Sequence, residues 1–217
     1  MDSMTAVYFL RHAESEMNVI AADIVGGRSN HTELTAKGQE QAALAGRWLL
    51  AHNIIPDTVY CSPARRTLHT TELALAALGI SDIQISTDPR LQELSQGVME
   101  GRARHEVWTP DTVKLLGQDP MNFKFEKGET VADVQLRKLE WLQEIESKHP
   151  DSIILVGAHG LAIRSLVGAL KGWDHSQIMH AANTPNCSLT LIESAGDKHT
   201  VQFLGRDIAA EQLALET

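Results

Sequence analysis

A run without a single polar side chain, Ile153-Ile154-Leu155-Val156-Gly157, is followed at once by Ala158-His159-Gly160 and then by Ile163, Leu166, Val167 and Leu170 at helical spacing. A strand that is apolar on both faces needs cover on both faces, which is the situation of a central strand in a parallel sheet flanked by helices. The same alternation recurs along the chain. Residues 6–10 read as a first strand that stops at Arg11-His12. Ala42, Ala45, Gly46 and Leu49 give residues 37–51 the stripe of a helix. Residues 58–61 form a second strand, the turn Ser62-Pro63 leads into a helix over about 66–77, and 83–87 form a third strand. Thr130 with Asp133 three residues later marks the start of a long helix, whose buried face is Val131, Val134, Trp141, Leu142 and Ile145. Residues 188–192 and 200–204 read as closing strands. Together these predict an α/β fold, a three-layer α/β/α sandwich with a mostly parallel central sheet. A chain of 217 residues fits one such domain. Between Leu91 and Gly128 no period is legible, and 97–128 is expected to be a lid or insertion on that single domain. Trp48, Trp141 and Trp173 are expected in packing, Trp108 in core or lid.

Net charge is −9, which argues against nucleic acid as a partner, since that needs a surplus of Lys and Arg. An anion site must then be built locally. The two cysteines, Cys61 and Cys187, imply no disulfide framework. No apolar run is long enough to span a membrane, and the first residues carry Asp2 and no basic segment of a secretory signal. The expected location is therefore the cytoplasm. Oligomeric state is open, a homodimer included.

Ligands of such sheets bind beyond the carboxyl ends of the strands. After the first strand come Arg11, His12 and, further on, Asn18; after the second, Ser62, Arg65 and Arg66; after the third, Glu93; after the apolar strand, His159 and Gly160. These types suit phosphoryl transfer. A neutral imidazole can attack phosphorus, and Arg matches the charged oxygens with a two-pronged fork. The helix start just after Gly160 offers backbone N–H groups. A carboxylic acid can protonate the leaving oxygen.

Arg11-His12-Ala13-Glu14-Ser15 with Asn18 resembles the signature of the histidine phosphatase superfamily, in its phosphoglycerate mutase-like branch. Leu34-Thr35 with Gly38, Gln41 and Ala42, then Ser62-Pro63-Ala64-Arg65-Arg66-Thr67 with Thr70, Leu91-Gln92-Glu93 with Gly97 and Glu100-Gly101, Gly128-Glu129-Thr130 with Asp133 and Arg137, and Gly157-Ala158-His159-Gly160 resemble its later segments in order. Asn186 is in place before the penultimate strand. Ala13 stands where that pattern has Gly, Ala158 where Ser is common and Thr67 where Ala is common.

The resemblance implies His12 as phosphate acceptor, with Arg11, Arg66 and His159 around the phosphoryl group and Glu93 as acid, then base. Ser15, Asn18, Gly160 and Asn186 are implied as further phosphate contacts. It implies no metal and no cofactor, and a small phosphorylated substrate as partner.

The predicted activity is phosphomonoester hydrolysis through a phosphohistidine. One alternative is a bisphosphoglycerate-dependent phosphoglycerate mutase, disfavoured because the stretch after Gly101 is short and lacks a paired Arg-Arg-Ser run. The other is a phosphate-binding regulatory module without turnover. A protonated Glu93 with an unprotonated His12 predicts a bell-shaped pH profile. The remaining histidines (31, 52, 69, 105, 149, 175, 180 and 199) are expected to face solvent or cap helices, and Arg65 to be solvated. Arg102, Arg104 and His105 read as a solvated turn, with the lining of the substrate entrance as the alternative, and Lys124 and Lys127 as candidate contacts for an anionic substrate.

Overall fold

The computed structural model describes residues 4–216 other than 22, 182, 183 and 197. Strand β1 (Met4–Arg11) leads through a short helix α1 (Glu16–Ile20) to α2 (Ala36–Ala51), β2 (Thr58–Cys61), α3 (Arg65–Leu78) and β3 (Ile85–Thr87). Two 3-10 turns, Pro89–Leu91 and Gly97–Met99, and two short helices, α4 (Arg104–Val107) and α5 (Pro110–Gln118), precede the long α6 (Val131–Lys148). Then come β4 (Ile153–Ala158), α7 (Gly160–Lys171), α8 (His175–His180), β5 (Leu189–Ala195), β6 (Lys198–Arg206) and α9 (Ile208–Glu216).

The sheet order is β3-β2-β4-β1-β5-β6. The pairs β1–β4, β4–β2 and β2–β3 are parallel, whereas β5 runs antiparallel to both β1 and β6. The sheet is thus mostly parallel, as the apolar β4 requires. Alternation along each strand divides the core in two. Leu10, Val59, Leu155 and Leu189 face α2, α3 and α9. Val7, Phe9, Ile154, Val156 and Ile192 face α6 and α7. The three expected layers are present, with Trp48 and Trp141 buried in opposite ones.

Local chemistry sets the helix ends. At the start of α6 the Thr130 hydroxyl accepts from the Asp133 amide at 2.9 Å, while the Asp133 carboxylate accepts from the Thr130 amide at 3.0 Å. Helices α3 and α7 end on Gly79 and Gly172, whose φ of 84° and 65° a Cβ would oppose.

The structure departs from the sequence reading at several points of the fold. Strand β3 is shorter than residues 83–87, because it is an edge strand that pairs only with β2 from Ile85 onward. The stretch read as aperiodic contains the nine-residue helix α5, which fully buries none of its residues and exposes Val113 and Leu115. His199 is neither solvated nor a cap, since it holds Glu146 at 2.9 Å in a half-buried pair. The acidic end of the chain is helix α9, docked on α2 by Arg47 to Glu216 at 2.7 Å and by the Trp48 indole N–H to Glu211 at 3.1 Å. Among the described residues no helix is long and apolar enough to cross a membrane.

One residue of α6 was not anticipated. Lys138 is fully buried, donates to the Leu91 carbonyl at 3.3 Å and lies over the Phe9 ring. Burial pushes its ammonium down from 10.5 to about 7, with the Arg137 charge adding to the shift. The unfolded lysine keeps its proton to roughly pH 10. Below that the unfolded chain binds more protons, so stability rises with pH from about 7 to 10. Lys138→Met should therefore stabilise the protein at pH 7, by on the order of 2 kcal/mol after loss of the bond to Leu91. The gain should shrink toward pH 10, and thermal melts of both proteins across that range check it.

Candidate active site

Parallel register builds the site. Arg11 pairs with Ala158 and Cys61 with Gly157, so the residues that follow, His12, Ser62 and His159, leave the sheet side by side. The His12 amide donates to the Ala158 carbonyl at 3.0 Å and the Ser62 amide to the Gly157 carbonyl at 2.9 Å. Gly157 is required here, since a Cβ would stand 2.4 Å from the Thr71 hydroxyl and 2.6 Å from the Cys61 sulfur.

His12 is only 5% exposed. Its Nδ1 lies 2.8 Å from the Ala13 carbonyl, which can only accept, so Nδ1 carries the proton and Nε2 keeps a lone pair. Burial, then the charges of Arg66 and Arg11, hold its pKa well below 6.5. The His159 ring meets it edge-on, 5.3 Å between centroids. Arg66 Nη2 donates to His159 Nδ1 at 3.1 Å, which places the His159 proton on Nε2, facing the Ser62 hydroxyl at 2.8 Å. His159 is likewise held neutral, first by burial and then by Arg66. A lowered pKa favours the unprotonated form, so His12 remains a nucleophile in mild acid. The acid limb of kcat/KM is expected well below pH 6.5; an inflection at or above that value would show an unperturbed imidazole.

Two arginines flank this pair, Arg66 buried and Arg11 half-buried. Arg66 Nη1 donates to the carbonyls of Arg28 and Ser29 at 2.9 and 2.8 Å. Burial lowers it to about 10, so it is a cation at neutral pH. Arg11 Nη1 donates to the Thr184 carbonyl, and its buried Nε has no partner among the described residues. Gly160 makes room for this arginine, since a Cβ would lie 3.2 Å from both Arg11 Nε and the Thr184 hydroxyl. Arg65, by contrast, points outward to Glu33.

Two of the N–H groups that open α7, those of Leu161 and Ala162, are taken by Glu93 and are not free for a phosphate. Leu161 N donates to Glu93 Oε2 at 3.1 Å and Ala162 N to Glu93 Oε1 at 3.0 Å, and Oε1 also accepts from Leu94 N at 2.9 Å. The Glu93 carboxylate itself occupies the positive end of the helix. Oε2 carries one bond to Oε1's two, and so has the lone pair free to hold a proton.

A frame behind Glu93 fixes it. Arg137 donates to the carbonyls of Arg90, Gln92 and Glu93 and to both oxygens of Glu129. Glu129 in turn accepts from Arg28 at 2.9 Å and from the Ser95 amide at 3.0 Å.

Ser15, Asn18 and Asn186 form a network rather than three separate contacts. Asn18 Oδ1 accepts from the Ser15 amide and hydroxyl, both at 3.0 Å, and from Asn186 Nδ2 at 3.2 Å. Asn186 Nδ2 also donates to the His12 carbonyl at 3.0 Å. Ser15 is fully buried and supports Asn18 instead of facing a ligand.

Sequence reading assigned no role to Arg28, Arg137, Thr184 or Ser62, each of which holds a site residue, or to Glu129, which holds Arg28 and Arg137. The Gly26-Gly27 pair before Arg28 was the available signal. Gly27 has φ 65°, and a Cβ there would stand 2.4 Å from the Glu100 carboxylate. Arg164 was also missed; it is partly buried and close enough to Glu93 and Arg11 for their charges to bear on one another.

Beside Glu93 opens a cavity of about 210 Å³ between the start of α7 and the 104–125 segment, lined mainly by apolar and aromatic side chains. Trp108, Arg104 and Lys124 line it and Lys127 does not, so Arg104 is not part of a merely solvated turn.

Residues 7–207 match the family described as the histidine phosphatase superfamily (branch 1), and the chain belongs to that superfamily. It is 28% identical over 179 residues to phosphoserine phosphatase 1 of Hydrogenobacter thermophilus, covering 80% of each chain. It is 30% identical over 197 residues to the 2,3-bisphosphoglycerate-dependent phosphoglycerate mutase of Rhodococcus jostii, covering 78% of this chain and 77% of that one. The solved structure of Bacillus stearothermophilus YhfR superposes with a TM-score of 0.82 at 28% identity, over 94% of this chain and 99% of the other. Membership and these relatives support phosphatase or mutase activity on a small phosphorylated substrate.

Proposed function

We propose that this protein hydrolyses phosphomonoesters through a phosphohistidine on His12. The observation that carries this is the state of His12: Nδ1 is tied to the Ala13 carbonyl, and Nε2 is an unprotonated lone pair between two arginines. In the first step Nε2 bonds to phosphorus as the bond to the alcohol oxygen breaks, and that oxygen takes the proton from Glu93 Oε2. Arg11 and Arg66 stabilise the phosphoryl oxygens. His159, held by Arg66 and Ser62, is the polar wall beside the nucleophile. In the second step water attacks phosphorus as the bond from phosphorus to His12 Nε2 breaks, and gives its proton to Glu93. Phosphate leaves, and His12 and the protonated Glu93 are restored. Ser15, Asn18, Gly160 and Asn186 act by holding His12 and Arg11 in place.

A mutase would pass the same phosphoryl group to a second phosphorylated acid. The short helices of 97–128 and the apolar cavity they cover support hydrolysis instead, and support reading that segment as the lid of a single domain.

The test is phosphate release in chelator from a panel of phosphomonoesters, with phosphoglycerate assayed with and without bisphosphoglycerate. Release in chelator is the expected result. Mutase turnover faster than hydrolysis, or a strict need for added Mg²⁺, would overturn the proposal; bound phosphate with no turnover would favour the binding module.

A further inference from the structure

Resting on that hydrolase reading, we propose that the alcohol released from the substrate carries an aromatic or similarly bulky apolar group, seated in the cavity beside Glu93.

The position follows from the walls. Leu94 is the residue after Glu93, and the Leu161 amide donates to Glu93 Oε2. Residues 25–27 line the cavity directly before Arg28, whose carbonyl holds Arg66. An alcohol oxygen protonated by Glu93 therefore has its carbon skeleton at the cavity mouth.

The chemistry follows from the lining. Trp108 and Phe123 each meet Phe125 edge-on, at 5.4 and 5.1 Å between centroids, and Leu116 closes the α5 side. A volume of about 210 Å³ exceeds the roughly 150 Å³ that holds a benzene ring in an apolar protein cavity. Gln96, Glu129 and His175 also line the cavity, but apolar side chains make up most of its wall, so a polyhydroxylated leaving group would lose more contacts with water than it regains here. Arg104 and Lys124 also line the cavity, are exposed, and form no ion pair among the described residues. They provide local attraction for a phosphate ester in a chain of net charge −9.

The experiment compares kcat/KM for phenethyl phosphate with that for glycerol phosphate and phosphoserine, in the natural protein and in Leu116→Trp, which fills the cavity. Binding of free phenethyl alcohol to both proteins is measured by calorimetry. The expected result is a preference for the phenethyl ester of about 10–100-fold. Leu116→Trp should cut that ratio to near one and weaken alcohol binding. Equal or better turnover of the small polar esters overturns the apolar pocket while leaving the hydrolase reading intact. If no ester is turned over, the hydrolase reading fails, and the alcohol decides the pocket: binding that Leu116→Trp abolishes supports it, and no binding overturns it.

Discussion

His12→Ala should lower kcat for every phosphomonoester by about 10⁴-fold or more, because no other group in the site offers an unprotonated nucleophile to phosphorus. His159 cannot substitute: its Nδ1 accepts from Arg66 and its Nε2 proton faces Ser62. Arg11 and Arg66 remain in the variant, so inorganic phosphate should bind within about tenfold of its normal affinity. Loss of turnover with retained phosphate binding separates the nucleophile from the anion site. Because His12 is buried, His12→Asn serves as a second variant that leaves less empty volume, and it should be equally inactive. Residual activity above about one per cent of kcat in a folded variant would mean a different phosphoryl acceptor.

Glu93→Gln should show a loss that depends on the leaving group. For alkyl esters the departing alkoxide needs a proton, and general acid catalysis contributes about 10²–10⁴-fold. For nitrophenyl phosphate the leaving oxygen is stable as an anion, so the first step should hardly change. The contrast between the two esters, measured as single-turnover rates, identifies Glu93 as the acid; equal losses would make it only a structural anchor. The variant should also melt lower. A Gln amide nitrogen cannot accept from the α7 amides that Glu93 now satisfies, and a buried unpaired N–H costs about 1–3 kcal/mol.

Much of the site was legible because each reactive residue stands next to a strand end that composition already marks. The apolar run of β4 places His159 and Gly160, and the abrupt stop of β1 places Arg11 and His12. The order of motif segments singles out Glu93 and separates Arg66 from the solvated Arg65. Helix α6 was readable from its capping pair and apolar stripe. Helix α5 was not, because it is only nine residues long, exposes Val113 and Leu115, and lies in a stretch interrupted by Gly, Pro and Phe. Lys138 escaped because a lysine on the buried face contradicts the pattern that identifies the helix.

What the sequence determines by itself is what travels with neighbouring residues: helix and strand periods, caps, and the chemistry at each strand end. The tertiary structure decided which of those chemistries meet and which donors are already taken. The amides of Leu161 and Ala162 at the start of α7 looked available to phosphate, yet they bind Glu93, which reaches them from 68 and 69 residues away in the chain. Ser15 looked like a ligand contact, yet it is sealed behind Asn18. The cavity beside Glu93 takes its walls from segments that only folding brings together. A hydrogen bond between distant segments leaves no periodic trace along the chain, and a cavity is defined by what surrounds it.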